Sequence, residues 1–233
     1  MKVFTSTFSK QALTRAGAVL LAFTMLVSCK KDDPYDFDGT YYAQVNFINA
    51  SSDAGSASLF IDDVQRTPNA VAYGNASGYN KCYAGQQTAT VQAGNNQTVV
   101  ATSSVQLDAN TNYTIFLAGQ SGALSLIQVT DDMTAPSTGN AKVRFVNASS
   151  NASGASLTFG STIIASNVNY TSGSAYSEIK AGSYAAVLVS GSTKVTNTAI
   201  TLESGKIYTL YAKGVAGNTS SANALTIGIF QNK

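Results

Sequence analysis

Groups that can attack, donate or coordinate are scarce in this chain. There is no histidine among its 233 residues, which removes Ser-His-Asp and Cys-His nucleophilic pairs and the commonest transition-metal ligand. Ser177-Glu-Ile-Lys180 spells a Ser-x-x-Lys pattern, but serine–lysine acyl enzymes carry that motif at the start of a helix, and here it falls beside an expected strand. Glycoside hydrolysis needs two carboxylates across a cleft, whereas the only glutamates, Glu178 and Glu203, read as solvated turn residues. Asp62-Asp63 and Asp131-Asp132 are oxygen ligands of the kind calcium takes, without the spaced Asp-x-Asp-x-Asp run of a loop site. The thiol of Cys82 aligns with Ile179 in an internal repeat, so it is expected as a small core residue rather than a reactive group. The expectation is no catalytic residue, no metal and no cofactor.

Cys29 is the exception. Lys2, Lys10 and Arg15 make the first residues positive, and Ala16 to Val27 is an apolar run of signal-peptide length, short for a membrane span. The run closes on Leu26-Val27-Ser28-Cys29, which resembles the bacterial lipobox. The resemblance implies diacylglyceryl transfer to the Cys29 sulfur and cleavage between Ser28 and Cys29. It also implies acyl chains, palmitate among them, that hold the protein on a membrane at about 0.8 kcal/mol per buried methylene. The plainer reading is an ordinary secretory signal, 1–28, followed by a chance cysteine. Lys31, Asp32 and Asp33 are similar to the signal that sends some Gram-negative lipoproteins to the outer face of the outer membrane; the alternative is a solvated charge run. Residues 29–40 read as a lipidated Cys followed by a flexible, Asp-rich tether. Without residues 1–28, eleven basic residues face twelve acidic ones and no basic stripe remains, so nucleic acid is not an expected partner.

The remaining residues build a scaffold, and they build it twice. VNFINASSDAGSASL (45–59) and VRFVNASSNASGASL (143–157) agree at ten of fifteen positions. Tyr73 and Tyr79 then match Tyr170 and Tyr176, Ala84-Gly85 matches Ala181-Gly182, and Leu107 to Tyr113 matches Leu202 to Tyr208. Two domains are therefore expected, 41–130 and 141–233, joined by a linker at 131–140. Within each copy the apolar period is two. Val45 and Phe47, like Val143 and Phe145, take one face, while Asn46, or Lys142 and Arg144, take the other. Asn-Ala-Ser-Ser then turns the chain, and strands are expected at 57–61 and near 69–73, 86–93, 97–106, 112–118 and 123–130. Hydrophobic residues at 44% and charged ones at 11% allow a substantial core. The fold expected is all-β: two tandem antiparallel immunoglobulin-like β-sandwiches. Tyr113 and Tyr208, each six residues after a Leu across a polar bend, suit the tyrosine corner of such folds.

The strand ending in Asn-Ala-Ser-Ser, the Tyr-to-Tyr segment, the Ala-Gly and the strand Gly205-Lys-Ile-Tyr-Thr-Leu210 together resemble domain-of-unknown-function family 4397. The second copy is the fuller match, because the first has Asn110-Thr-Asn where the Gly-Lys falls. The resemblance implies secreted or lipid-anchored bacterial proteins with tandem domains, and it brings no activity or site with it. The function expected is a non-enzymatic lipoprotein of a Gram-negative outer membrane, at the cell surface, binding a glycan or a protein. The alternative is a passive spacer or envelope scaffold. Of twelve tyrosines, Tyr41, Tyr42, Tyr83, Tyr184 and Tyr211 are least constrained by the repeat and so most available for a ligand. The repeated turn itself is either a fold element or a binding loop used twice.

Overall fold

The computed structural model describes residues 41–120, 122–220 and 223–233. Cys29, with its cleavage partner Ser28 and the charged residues Lys31, Asp32 and Asp33, lies outside the described residues. All regular structure among those described is strand. The first half contributes β1 (Tyr42–Asn49), β2 (Ala57–Ile61), β3 (Val64–Gln65), β4 (Ala76–Tyr83), β5 (Gly85–Ala93), β6 (Thr98–Leu107), β7 (Asn112–Ala118) and β8 (Ser125–Asp131). The second contributes β9 (Asn140–Asn147), β10 (Ala155–Phe159), β11 (Thr162–Val168), β12 (Ser177–Lys180), β13 (Gly182–Ser190), β14 (Thr193–Leu202), β15 (Ile207–Lys213) and β16 (Thr226–Gln231).

Each half is a sandwich of two four-stranded sheets, ordered β4-β1-β7-β8 over β3-β2-β5-β6 and, identically, β12-β9-β15-β16 over β11-β10-β13-β14. Neighbours run antiparallel except β1 with β7 and β9 with β15, which pair in parallel. Two packed layers and a tyrosine corner make the halves immunoglobulin-like, although the strands are shared between layers differently from the ABED and CFG division of immunoglobulin domains. The corner is present twice. The backbone N–H of Asp108 donates to the Tyr113 hydroxyl (3.0 Å) and that of Glu203 to the Tyr208 hydroxyl (3.1 Å).

The repeated Asn-Ala-Ser-Ser phrase closes the first strand of each half. Asn49 and Asn147 are fully buried. The Asn49 amide donates to the carbonyls of Gly55 and Val71 and accepts from the backbone N–H of Ser51. Asn147 does the same with Ala152, Val168 and Ser149. One side chain thus fastens a turn and a neighbouring loop, and the duplication is explained by the fold.

Strand expectations failed near 69–73, and the edge strands β4 and β12 and the short β3 were not expected, for a physical reason. A strand was expected near 69–73; the chain there makes only an isolated bridge between Ala57 and Val71. The strand instead is β4, which buries a single side chain, Cys82, in the core. An edge strand of Ser, Gly and Asn lacks the alternation that announces a strand, and its order comes from pairing with β1. The connection also begins one residue later than the expected 131, because Asp131 ends β8 and is buried.

Outer strands show the period-two burial expected, as in β2 and β10. The inner strands β1, β7, β9 and β15 are buried on both faces almost throughout. The reason is a third apolar cluster, separate from the two sandwich cores. It joins Ile48, Ala50, Phe116, Ala118 and Ile127 of the first half to Val146, Ala148 and Tyr211 of the second. The inner sheets therefore pack face to face, giving four layers in all.

The packing has an internal twofold character. Phe116 and Tyr211 occupy matched positions of the repeat and meet edge to face, ring centroids 5.4 Å apart. A residue touching its own counterpart marks a twofold contact. The matched tyrosines of the two loops also reach across, the Tyr170 hydroxyl to Ser125 Oγ (2.7 Å) and the Tyr73 ring to Lys213 Nζ (4.3 Å). Both contacts lie where β7 and β15 end. The two halves therefore run side by side in the same sense, with Tyr42 and Asn140 at one end and the loops 50–56, 69–75, 148–154 and 169–175 at the other.

Candidate functional site

None of the candidate nucleophiles or paired acids is assembled for catalysis. Ser177, Glu178 and Lys180 lie on β12, a strand, and Glu178 accepts from the Ser137 backbone and the Asn140 amide (3.1 Å). Glu203 belongs to a tyrosine corner. Asp62 and Asp63 both have positive φ, 45° and 62°, and form a two-residue hairpin turn of the I′ kind. Asp62 Oδ1 accepts from the Thr88 N–H (2.7 Å). Cys82 is fully buried against Ala43, and burial pushes its thiol up to about 11, which suppresses the thiolate. Among the described residues no three of His, Cys, Asp or Glu come close enough to hold a metal.

Asp131 and Asp132, the other candidate calcium ligands, hold the halves together. Arg144 and Asp131 are nearly fully buried and form an ion pair between Nη2 and Oδ1. Arg144 also donates to Thr209 Oγ1 (3.0 Å) and the Thr130 carbonyl (2.7 Å) and lies over the Tyr176 ring. Asp131 Oδ2 accepts from Tyr79 and from Thr114, both at 2.7 Å. Asn232 links Tyr79 (2.8 Å) to Thr209 (2.8 Å), closing the circuit. Burial pushes the Asp131 carboxyl upward, against the pull of Arg144, Tyr79 and Thr114. Burial likewise raises Tyr176, to about 12, so its hydroxyl stays protonated.

Asp132 behaves oppositely. Bonds from the Thr134 hydroxyl and backbone, then Lys142 (2.9 Å), hold its carboxyl down at about 2. With a folded value below the unfolded ~3.9, its contribution is present above about pH 4 and is lost as pH falls through 2. Because the Asp132 side chain is 47% exposed, that contribution is at most about 1 kcal/mol. Asp132→Asn should therefore lower stability at pH 7 by up to about 1 kcal/mol, make little difference at pH 2, and so flatten the acid limb of a stability-against-pH curve between pH 4 and 2.

Two surfaces remain outside this framework. At the loop end, Pro68, Asn69, Ala70, Val71, Ala72, Asn75, Ala76 and Ser77 line an open groove of about 280 Å³. At the other end, Tyr42, Gln44, Asn110, Thr111 and Asn112 line a smaller one of about 110 Å³. Of the five tyrosines singled out, Tyr211 is buried between the halves, and Tyr184 stacks on Phe159 and donates to the Lys180 carbonyl. Tyr41, Tyr42 and Tyr83 gather at the end where the chain enters the fold. The polar inner faces of β1 and β9 gave no sequence signal for the interhalf network; the matched tyrosines Tyr79 and Tyr176 were the one available hint.

The sequence profile of a domain of unknown function, DUF4397, matches residues 43–158. The match spans the first half and the opening strand, turn and most of the next strand of the second, not the second copy that the Gly-Lys-Ile-Tyr run favoured. No curated protein matches the chain. Among solved structures, a family CBM26 module of Eubacterium rectale Amy13K in complex with maltoheptaose is 9% identical, with a TM-score of 0.25 over 80% of this chain and 95% of that one. A candidate cell adhesion protein from Bacteroides uniformis is 10% identical, with a TM-score of 0.22 over 84% and 98%. Another from Bacteroides eggerthii is 11% identical, with a TM-score of 0.21 over 82% and 95%.

Proposed function

We propose that the chain, which belongs through residues 43–158 to the DUF4397 family, serves as a non-enzymatic, lipid-anchored binding module of a bacterial cell envelope. The observation that supports this reading is the side-by-side packing of the halves. Cys29 precedes Tyr41 by twelve positions, so an anchor there leads into one end of the fold, and the loops of both halves gather at the opposite end. Packing two sandwiches face to face doubles the breadth of a loop surface and adds nothing to its reach. A binding module gains from breadth, whereas a spacer needs length, so the geometry favours binding over the spacer alternative.

The ligand face is the loop end, with the groove between Pro68 and Ser77 as its concave part and a glycan or protein as ligand. Backbone and small polar side chains line it, which suits hydrogen bonding to hydroxyl-rich or peptide partners. Two comparisons test the reading on cells carrying the full chain. External protease should remove the wild-type protein and spare a variant with Lys31, Asp32 and Asp33 changed to Ala. Adhesion to a panel of immobilised polysaccharides and glycoproteins should be lost with Ala72→Arg, which drives a long cation into the groove from an exposed position. Protection of the wild type, or adhesion indifferent to Ala72→Arg, would count against it.

A further inference from the structure

The internal repeat supplies a control for the end where the chain enters the fold. In the second half, the equivalent face is occupied by the chain itself. Glu178 and Lys142, facing each other across β12 and β9, are taken up by Ser137 and Asn140 and by Asp132 and Thr134. Pro136 is buried there. The register partners next along are Asn140 and Lys180.

The first half has the same backbone and different chemistry. The matched register pairs are Tyr42 with Tyr83 and Gln44 with Lys81. Tyr41 is 67% exposed and Tyr83 38%. Lys81 Nζ sits 4.5 Å over the Tyr42 ring, and Arg66 reaches the Lys81 carbonyl (3.2 Å), bringing a second cation to the same edge. The fold does not require these side chains, since the second half folds with Asn, Lys and Glu in their places. Three tyrosines and two cations on one edge, beside the point where the residues from Cys29 lead in, have the composition of a membrane-interface contact. Phenol rings with an apolar body and a polar tip settle at headgroup depth, and lysine and arginine are drawn to anionic lipid.

We propose that this edge of the folded body, Tyr41, Tyr42 and Tyr83 with Lys81 and Arg66, lies against the lipid surface and holds the loop end away from it. The proposal rests on the lipid-anchor reading of Cys29 and adds a second, weaker membrane contact to it. Its consequence is orientation. A lipid on Cys29 alone would not set the orientation of the body, whereas an aromatic edge at headgroup depth sets the strands upright.

The chain contains no tryptophan, so a single introduced one reports on its own surroundings. The full-length lipidated chain carrying Tyr83→Trp would be reconstituted into phosphatidylethanolamine–phosphatidylglycerol vesicles with brominated acyl chains. Asn69→Trp, at the exposed loop end, serves as the control. The expected result is that both proteins float with the vesicles, that the Tyr83→Trp emission shifts to the blue and is quenched, and that Asn69→Trp is not. A Tyr83→Trp protein that floats with its emission unquenched overturns the proposal and leaves the anchor standing. The same holds if its emission is already blue-shifted without lipid, which would show the edge covered by protein. A chain that does not float removes the anchor and the proposal together.

Discussion

Arg144→Ala should lower the stability of the chain by about 3–5 kcal/mol at neutral pH, read as a fall in the urea midpoint. The guanidinium is nearly fully buried and makes the ion pair with Asp131. Its removal leaves a buried carboxylate facing two hydroxyls and no cation, and orphans the Thr130 carbonyl. Two accompanying results distinguish this from simple loss of packing. The cost should shrink as pH falls towards about 4 and level off below it. Burial already raises the folded Asp131 carboxyl, and losing Arg144 removes the charge that pulls it down, so the folded form takes up its proton at a higher pH than the unfolded ~3.9 and acid favours it. Asp131→Asn should also cost less in the Arg144→Ala background than alone, because the amide oxygen still accepts from Tyr79 and Thr114 while the uncompensated charge is gone. Equal costs in both backgrounds would mean that the pair does not couple the halves.

Asn147→Ala should cost roughly 3 kcal/mol or more, since it leaves the Ala152 and Val168 carbonyls and the Ser149 N–H buried without their partner, each at about 1–3 kcal/mol. Asn49→Ala should cost a similar amount, because its bonds to Gly55, Val71 and Ser51 are the same three. Asn147→Asp separates hydrogen bonding from size: the carboxylate can still accept from Ser149 but cannot donate to the two carbonyls. It should be nearly as damaging as alanine in a urea titration. If Asn147→Asp were tolerated, the amide donors would not be what fastens the turn.

Much of the scaffold was legible because the chain states it twice. The repeated phrase, the Leu-to-Tyr spacing of the corner and the alternation of Ala57, Leu59 and Ile61 all correspond to observed contacts. The buried place of Cys82 followed from its match to Ile179. The interface between the halves was not legible, because Asn46, Thr114, Arg144 and Thr209 are polar and alternate with core residues, the pattern of a solvent-facing side. Burying that side requires partners that come from far along the chain, Asp131 and Asn232 above all, and no local window contains them. Asp131-Asp132 suggested an ion site for the same reason: two adjacent acids look alike in sequence, yet one is buried against arginine and the other half exposed beside lysine. For the binding surface, the tyrosine count pointed to five residues, of which only comparison of the two halves in space separated Tyr41, Tyr42 and Tyr83 from Tyr184 and Tyr211.

The two halves have also diverged where they touch. Phe116 packs beside Ile127 on one inner sheet, and its counterpart Tyr211 beside Gly228 on the other, where any larger side chain would collide with the ring. Arg144 likewise stands in the second half where the first has Asn46, and its partner is Asp131. Such an interface joins unlike surfaces, so two copies of either half would bring together two acids or two arginines. What makes the pairing dependable is the connection of residues 132–139, which links strand ends at the same end of both sheets. A connection that short sets an effective concentration of about millimolar. The contact need only be stronger than that to stay closed, which leaves room in it for buried charge, and a protease cut anywhere in those eight residues would turn a permanent union into one that dilution can undo.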